Sequence, residues 1–282
     1  MNEKINSLLL GVHTSISGGF EKSIERAESI GCTAMQIFTK SNRQWRAQPI
    51  SPEQVTLFIQ SWEKSSIQTI IAHASYLINI GALNSDIQKK SIIALIEEIE
   101  RCAKLSIPYL VLHPGSQGSL EQIGTNLNTV LSQTPNTVMI LLETMAGQGK
   151  SVAYKFEQLA QIYDMCNQKH RVGICFDTCH AFAAGYDLRT RHAYEKTWAA
   201  FDEIIGLEKL KAIHVNDSKK DLGSKIDRHD HIGTGKIGSP FFQFLLTDPR
   251  FHSIPKILET PKKTPDDDIN NMKKLYELAF AM

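Results

Sequence analysis

The sequence predicts an α/β protein in which eight parallel strands, each followed by a helix, close into one (β/α)8 barrel with a metal cluster at its C-terminal face. Three observations carry this. Short apolar runs of strand type alternate with segments of helical periodicity through all 282 residues. Six of the runs, TIIAH, YLVLH, VMILLE, VGICFD, LKAIH and PKILE, end in a residue that ligates divalent metal well: His73, His113, Glu143, Asp177, His214 and Glu259. These six follow one another at intervals of 30 to 45 positions, room for one strand, one loop and one helix. Closing parallel strands into a barrel delivers all their C-termini to one face, whereas an open doubly wound sheet leaves the ends of distant strands apart. The length suits one such barrel, and no linker, low-complexity stretch or charge block marks a second unit. Residues 1–282 therefore read as a single TIM-barrel domain.

The elements follow in order. LLLGVH (8–13) is the first strand, and FEKSIERAESIG (20–31) a helix closing at a Gly. AMQIF (34–38) is the second strand. Ser51 and Pro52 open the next helix, one as N-cap and the other as a Pro whose missing N–H is harmless in the first turn. QTIIAH is the third strand. The helix after it, near 85–105, has apolar Ile92, Leu95, Ile96, Ile99 and Ala103 at spacings of three and four. YLVLH and VMILLE are strands four and five, followed by helical segments near 120–132 and 151–168. VGICFD, KAIHV and KILE complete the eight, and a last helix over 266–280 begins after Thr264-Pro265. The longest loop-like stretches are 39–51, 177–192 and 216–240, and long loops on one barrel face are where function concentrates.

Composition narrows the class. The hydrophobic share is 42%, enough for a sizeable core. No apolar run approaches the roughly 20 residues of a membrane span. The apolar part of the N-terminal MNEKINSLLLGVHTS is shorter than the h-region of a secretory signal, about 7–15 residues. A soluble, cytoplasmic protein is expected. Five cysteines, an odd number without a CxxC pair, do not make a disulfide framework. Cys175 and Cys179 flank Asp177, but Cys175 lies inside an apolar run and reads as a buried neutral thiol. A net charge of +1 lacks the basic excess usual in nucleic-acid proteins, so any polyanion must be met by local arrangement or by bound cations.

Three further side chains join the six at strand ends. His180 follows Asp177 by three residues in FDTCHAFAAGYD, and Asp227 and His229 lie two apart in DRHDHIGTG. The resulting set of five His, two Asp and two Glu suits zinc, with manganese or iron as alternatives. Taken singly, a strand-end His is usually a hydrogen-bonded core residue, and a lone buried carboxylate is costly unless paired. Taken together, a shared metal cluster accounts for all of them with one cause. His170, His192 and His252 read as surface residues, His231 as a neighbour of the ligands, and His13, at the end of the first strand, has no assigned role.

The stretches FTKSNRQWRA, HASYLINIG, LHPGS, LLETMAGQGK, GICFDTCHAFAAGYDLRT, HVNDSK, DRHDHIGTG and LET run over nearly the whole chain. In them the sequence resembles the endonuclease IV family of apurinic/apyrimidinic endonucleases, with FDTCHAFAAGYD and the DRHxxIGxG pattern the most specific. The resemblance implies three zinc ions: one held by His73, His113 and Glu143; a second by Glu143, Asp177, His214 and Glu259; a third by His180, Asp227 and His229. Glu143 would bridge two of them, and Glu143 and Glu259 would be the catalytic carboxylates. It implies hydrolysis by a metal-activated hydroxide on the 5′ side of abasic sites in duplex DNA, leaving a 3′-hydroxyl and a 5′-deoxyribose phosphate, with activity also on 3′-blocked ends. Arg43 and Tyr76 match family positions that enter the duplex at the lesion, and a monomer is expected. The departures are small: Ala74 stands where some relatives carry an acidic residue, and the first strand reads GVHTSISGG rather than GAHVS. Two other classes differ in kind. A sugar isomerase or epimerase on a related metal-dependent barrel would lack the Asp227 and His229 pair. A non-catalytic metal-dependent DNA-binding module would need no bridging carboxylate.

Overall fold

The computed structural model describes residues 8–281; residues 1–7, the start of the N-terminal stretch considered above, and residue 282 lie outside that range. Eight parallel strands close into a barrel in sequence order: β1 Leu10–Thr14, β2 Ala34–Ile37, β3 Thr69–His73, β4 Tyr109–Leu112, β5 Met139–Glu143, β6 Val172–Asp177, β7 Leu210–His214 and β10 Lys256–Leu258. Between β7 and β10 lies an antiparallel ribbon, β8 Asp217–Ser218 with β9 His229–Asp230. The helices are α1 Phe20–Ser29, α2 Pro52–Glu63, α3 Ser85–Lys104, α4 Leu120–Ser132, α5 Phe156–Met165, α6 Thr178–Ala184, α7 Arg191–Ile204, α8 Ser239–Thr247 and α9 Asp267–Phe280. Among the described residues no helix is long and apolar enough to cross a membrane.

Local chemistry sets the helix starts. The Ser51 hydroxyl accepts from the Gln54 N–H at 3.3 Å while Gln54 Oε1 accepts from the Ser51 N–H at 3.0 Å, a reciprocal cap on α2. Asn84 Oδ1 accepts from the Asp86 and Ile87 N–H groups, both at 3.0 Å, and starts α3. One expectation is corrected. The stretch 177–192, read as a loop, contains α6 and the first residues of α7. Asp177 caps α6 by accepting the His180 N–H at 2.7 Å, and Gly185, at φ 114°, ends it. Two turns are too short to display a period, and TCHAFAA is buried on nearly every side, so no polar face betrays the helix. The sequence reading expects a helix after each strand but sets no bounds for α7 or α8.

Alternation along the strands divides the core into two layers. Ala34, Ile71, Val111, Leu141, Cys175, Ala212 and Ile257 form one buried cluster, one residue from each of seven strands, and fill the barrel interior. Their sequence neighbours, such as Ile70, Ala72, Leu110, Leu142, Ile174 and Ile213, belong to the larger cluster packed under the helices. On β1 the interior position falls to Gly11. A Cβ there would land on the backbone carbonyl of Ala34 in β2, the strand it pairs with. Gly11→Ala is therefore expected to destabilise the protein by about 2–3 kcal/mol, measured as a lower urea midpoint with unchanged slope. An unchanged midpoint would show that β1 shifts freely.

Candidate metal centre

The interior layer explains where the six strand-end residues go. His73, His113, Glu143, Asp177, His214 and Glu259 each lie two positions beyond an interior residue, so each points inward one layer higher, at the C-terminal mouth. The same step from Ala34 and Gly11 places Gln36 and His13 in that ring. All nine expected ligands are brought together. Their ligand atoms fall into three groups, each within 4.8 Å: His73, His113 and Glu143; Glu143, Asp177, His214 and Glu259; and His180, Asp227 and His229.

Glu143 joins the first two groups. It is fully buried; its Oε2 lies 3.2 Å from His73 Nε2 and 3.1 Å from His113 Nε2, while its Oε1 lies 3.1 Å from His214 Nδ1. Each carboxylate oxygen thus faces a different imidazole set. His214 Nδ1 also lies 3.2 Å from Glu259 Oε2 and 3.9 Å from Asp177 Oδ2. In the third group His180 Nε2 and His229 Nε2 lie 3.1 and 3.4 Å from Asp227. One of these residues, His180, comes from the short helix α6 at the mouth of β6, and two from the ribbon strand β9 and the turn before it. The Asp177 cap on α6 fixes the step between strand and His180.

The donor set suits divalent cations. His73 Nδ1 meets the Ala74 carbonyl at 2.7 Å, His180 Nδ1 the Thr144 carbonyl at 2.9 Å and His229 Nδ1 the Glu259 carbonyl at 3.0 Å. A backbone carbonyl can only accept, so these Nδ1 atoms carry the proton and each Nε2 is free to donate a lone pair. His180 Nε2 and His229 Nε2 are buried and engaged in no hydrogen bond, although Asp227 is close. A carboxylate facing two buried ring nitrogens is what a shared positive charge satisfies. The charge balance points the same way. Burial would raise the Glu143 carboxyl, but the facing His113 and His214 hold it well below its usual range. Burial also disfavours a charged His180, yet Asp177 and Asp227 outweigh it and hold His180 well above the ordinary histidine value. Cys179 also brings its sulfur within reach of Asp177 and His229. Burial pushes the thiols of both Cys175 and Cys179 up to about 12, and nitrogen and oxygen donors fill the three groups without them.

Residues beyond the expected set hold the ligands. Gln36 Nε2 donates to Glu259 Oε1 at 2.7 Å and its Oε1 meets His214 Nε2 at 2.9 Å, tying two ligands together. Asn216 Nδ2 donates to Asp177 Oδ2 at 2.8 Å, and its Oδ1 accepts the Glu259 N–H at 2.8 Å. His13 Nδ1 lies 3.0 Å from Gln36 Nε2 and 3.5 Å from Glu259. His231, read as a neighbour of the ligands, instead meets Asn271 Nδ2 at 3.0 Å. Gln36 escapes a reading that looks only at the last residue of a run, since it lies inside AMQIF; the two-residue step from Ala34 is the signal that finds it.

The loops above the ring carry the remaining candidates. Tyr76 is 57% exposed, with its ring 5.3 Å from that of His73 and 5.6 Å from that of His113. Arg43 is exposed on the 39–51 stretch. Beside them a cavity of about 460 Å³ is lined by His13, Phe38, Tyr76, Glu259 and Lys262.

A family model described as a xylose-isomerase-like TIM barrel matches residues 24–278. A probable endonuclease 4 of Chloroflexus aggregans is 49% identical over 259 residues, which cover 89% of this chain and 91% of that protein. The crystal structure of endonuclease IV from Thermus thermophilus superposes with a TM-score of 0.89 at 36% identity, covering 97% of this chain and 99% of that one. A D-tagatose 3-epimerase-like protein superposes with a TM-score of 0.69 at 21% identity over 95% of this chain and 96% of its own, a likeness of fold alone.

Proposed function

Since this chain belongs to the endonuclease IV family, we propose that it is a DNA-repair endonuclease that hydrolyses the phosphodiester 5′ to abasic sites in duplex DNA and also acts on 3′-blocked ends. Residues 1–282 form one endonuclease domain, and the nine ligands hold three zinc ions in the three groups described. The observation that carries this reading is Glu143, whose two oxygens face two different imidazole sets. The chemistry that bound divalent ions supply is a nucleophile ionised near neutral pH and positive charge for the phosphoryl oxygens.

The chain's own residues orient and exclude. Carbonyl-held Nδ1 protons keep His73, His180 and His229 in the tautomer that presents Nε2 to the centre. Gln36 and Asn216 fix Glu259 and Asp177, so the ring does not reorganise as substrate charge develops. An abasic nucleotide has no base to stack, and extruding it costs less than extruding a paired one. Tyr76 and Arg43, planar groups exposed on adjoining loops, fill the gap left in the duplex.

The deciding experiment is incision of a duplex carrying one tetrahydrofuran abasic analogue, with metal content determined on the same sample. That analogue cannot undergo β-elimination, so a cut 5′ to it leaving a 3′-hydroxyl is hydrolytic. No cut at full metal loading would overturn the proposal and favour sugar isomerase chemistry. Tyr76→Ala is expected to weaken binding of this duplex by about 1–3 kcal/mol, the value of one stacking contact, with metal content unchanged. Unaltered affinity would remove Tyr76 from the lesion. Binding should also weaken steeply as salt rises, since phosphate contacts release counterions.

A further inference from the structure

Helix α3 carries two buried charged side chains that touch no metal ligand. Glu98 and Arg101 lie one turn apart on the same face, at 1% and 8% exposure, and both reach upward to the loops that follow β2 and β3. Glu98 accepts the Ser75 N–H at 3.1 and 3.3 Å and faces Lys40 Nζ at 3.4 Å. Lys40 is itself buried, and its Nζ donates to the Trp45 carbonyl at 2.8 Å. Arg101 donates to the Thr39 carbonyl at 2.5 and 3.0 Å and to the Gln48 carbonyl at 2.8 Å, gripping both feet of the first loop. The Ser75 hydroxyl donates across to the Asn42 carbonyl at 2.8 Å, joining the loops directly.

These bonds fix the backbone on either side of Arg43, at Asn42 and Trp45, and the residue before Tyr76. They do so with buried charge, which stability alone does not favour: an apolar pair of similar volume is often as stable as a buried ion pair or more so. Burial pushes the Glu98 carboxyl up to about 7, although Lys40 and the Ser75 N–H pull it down.

We propose that Glu98, Lys40 and Arg101 are positioning residues that hold the Arg43 and Tyr76 loops in one mutual arrangement before DNA arrives. The inference rests on the assignment of Arg43 and Tyr76 to the lesion. A duplex then meets loops already ordered, and binding does not bear the entropy of ordering them.

The test is a Glu98→Leu/Lys40→Met double variant, with Glu98→Gln as the milder form that keeps an acceptor for Ser75 should the double variant fail to fold. Four quantities are measured on metal-loaded protein: kcat and KM on the tetrahydrofuran duplex, turnover of bis(4-nitrophenyl) phosphate, and metal content. KM for the duplex is expected to rise about tenfold, the effect of leaving one or two side chains to be ordered on binding. The kcat on the duplex, turnover of the small diester, which is too short to span the loops, and metal content should stay unchanged. Adding Tyr76→Ala to the variant should raise KM by less than the product of the separate effects, because both act through one loop. An unchanged KM in a folded variant overturns the proposal, and so does a parallel fall in kcat, small-diester turnover and metal content, which would mark a structural role. If Arg43→Ala and Tyr76→Ala leave KM unaltered, the lesion assignment fails first. If they raise it and the Glu98 variants do not, only the positioning role fails.

Discussion

Glu143→Gln is expected to lower incision of the abasic duplex by at least about 10³-fold while leaving the fold intact, because in the proposed assignment one residue serves two ions at once. The amide keeps the size of the carboxylate, so the buried site is not hollowed. It offers only one oxygen, however, and an NH2 group that would point at either His73 and His113 or at His214. Whichever way it turns, one of the two sets loses its ligand and gains a donor aimed at a lone pair. Metal analysis of the purified variant should therefore show fewer ions per chain than the parent, and unfolding in urea should change far less than activity. Near-normal turnover at full metal loading would end the bridging assignment.

The second large effect is expected at Asp217, which stands outside the three candidate metal groups. Its carboxylate is fully buried and accepts five backbone N–H groups: Ser218 at 2.8 Å, Gly233 at 2.9 Å, Gly235 and Ile237 at 3.0 Å, and Gly238 at 3.4 Å. The turn 233–238 is thus wrapped round one side chain, and that turn follows the ribbon strand bearing His229. It also explains a glycine, since a Cβ on Gly235 would lie 2.5 Å from Asp217 Oδ1. Asp217→Ala leaves several buried donors without an acceptor and should destabilise the protein by about 3–5 kcal/mol. The ion assigned above to His180, Asp227 and His229 should be lost before the others, since the ribbon no longer holds its place. Asp217→Asn keeps one acceptor oxygen and should fall between. The check is the urea midpoint together with metal content; a midpoint and metal count equal to the parent's would show that the ribbon is held by other means.

The candidate site was unusually legible because its signal is local. A strand of aliphatic residues ending in His, Asp or Glu is visible within five or six positions, and six such runs can be counted without knowing how the chain folds. Reading only the end of each run also explains what escaped. Gln36 sits inside its run, and His13, although it ends the run LLLGVH, had no role; neither carries meaning until strand pairing and alternation place both beside Glu259. Asp217 looks like an ordinary loop carboxylate in HVNDSK; the five N–H groups it gathers come mostly from residues sixteen or more positions away. The helix α6 was hidden by its own burial, because periodicity needs a polar face to contrast with the apolar one. Glu98 and Arg101 fit the polar pattern of an amphipathic helix, and only the docking of two loops onto α3 reveals them as buried.

By itself the sequence determined the barrel, its strand order and nine residues fit to hold metal, because apolar alternation and strand-end ligands are short-range patterns that any parallel barrel must express. Only the tertiary structure decided which nitrogen the imidazoles present, which side chains steady them and which buried charges lie under the loops. Those depend on distances between residues far apart in the chain, which closure of the barrel sets and no local pattern records.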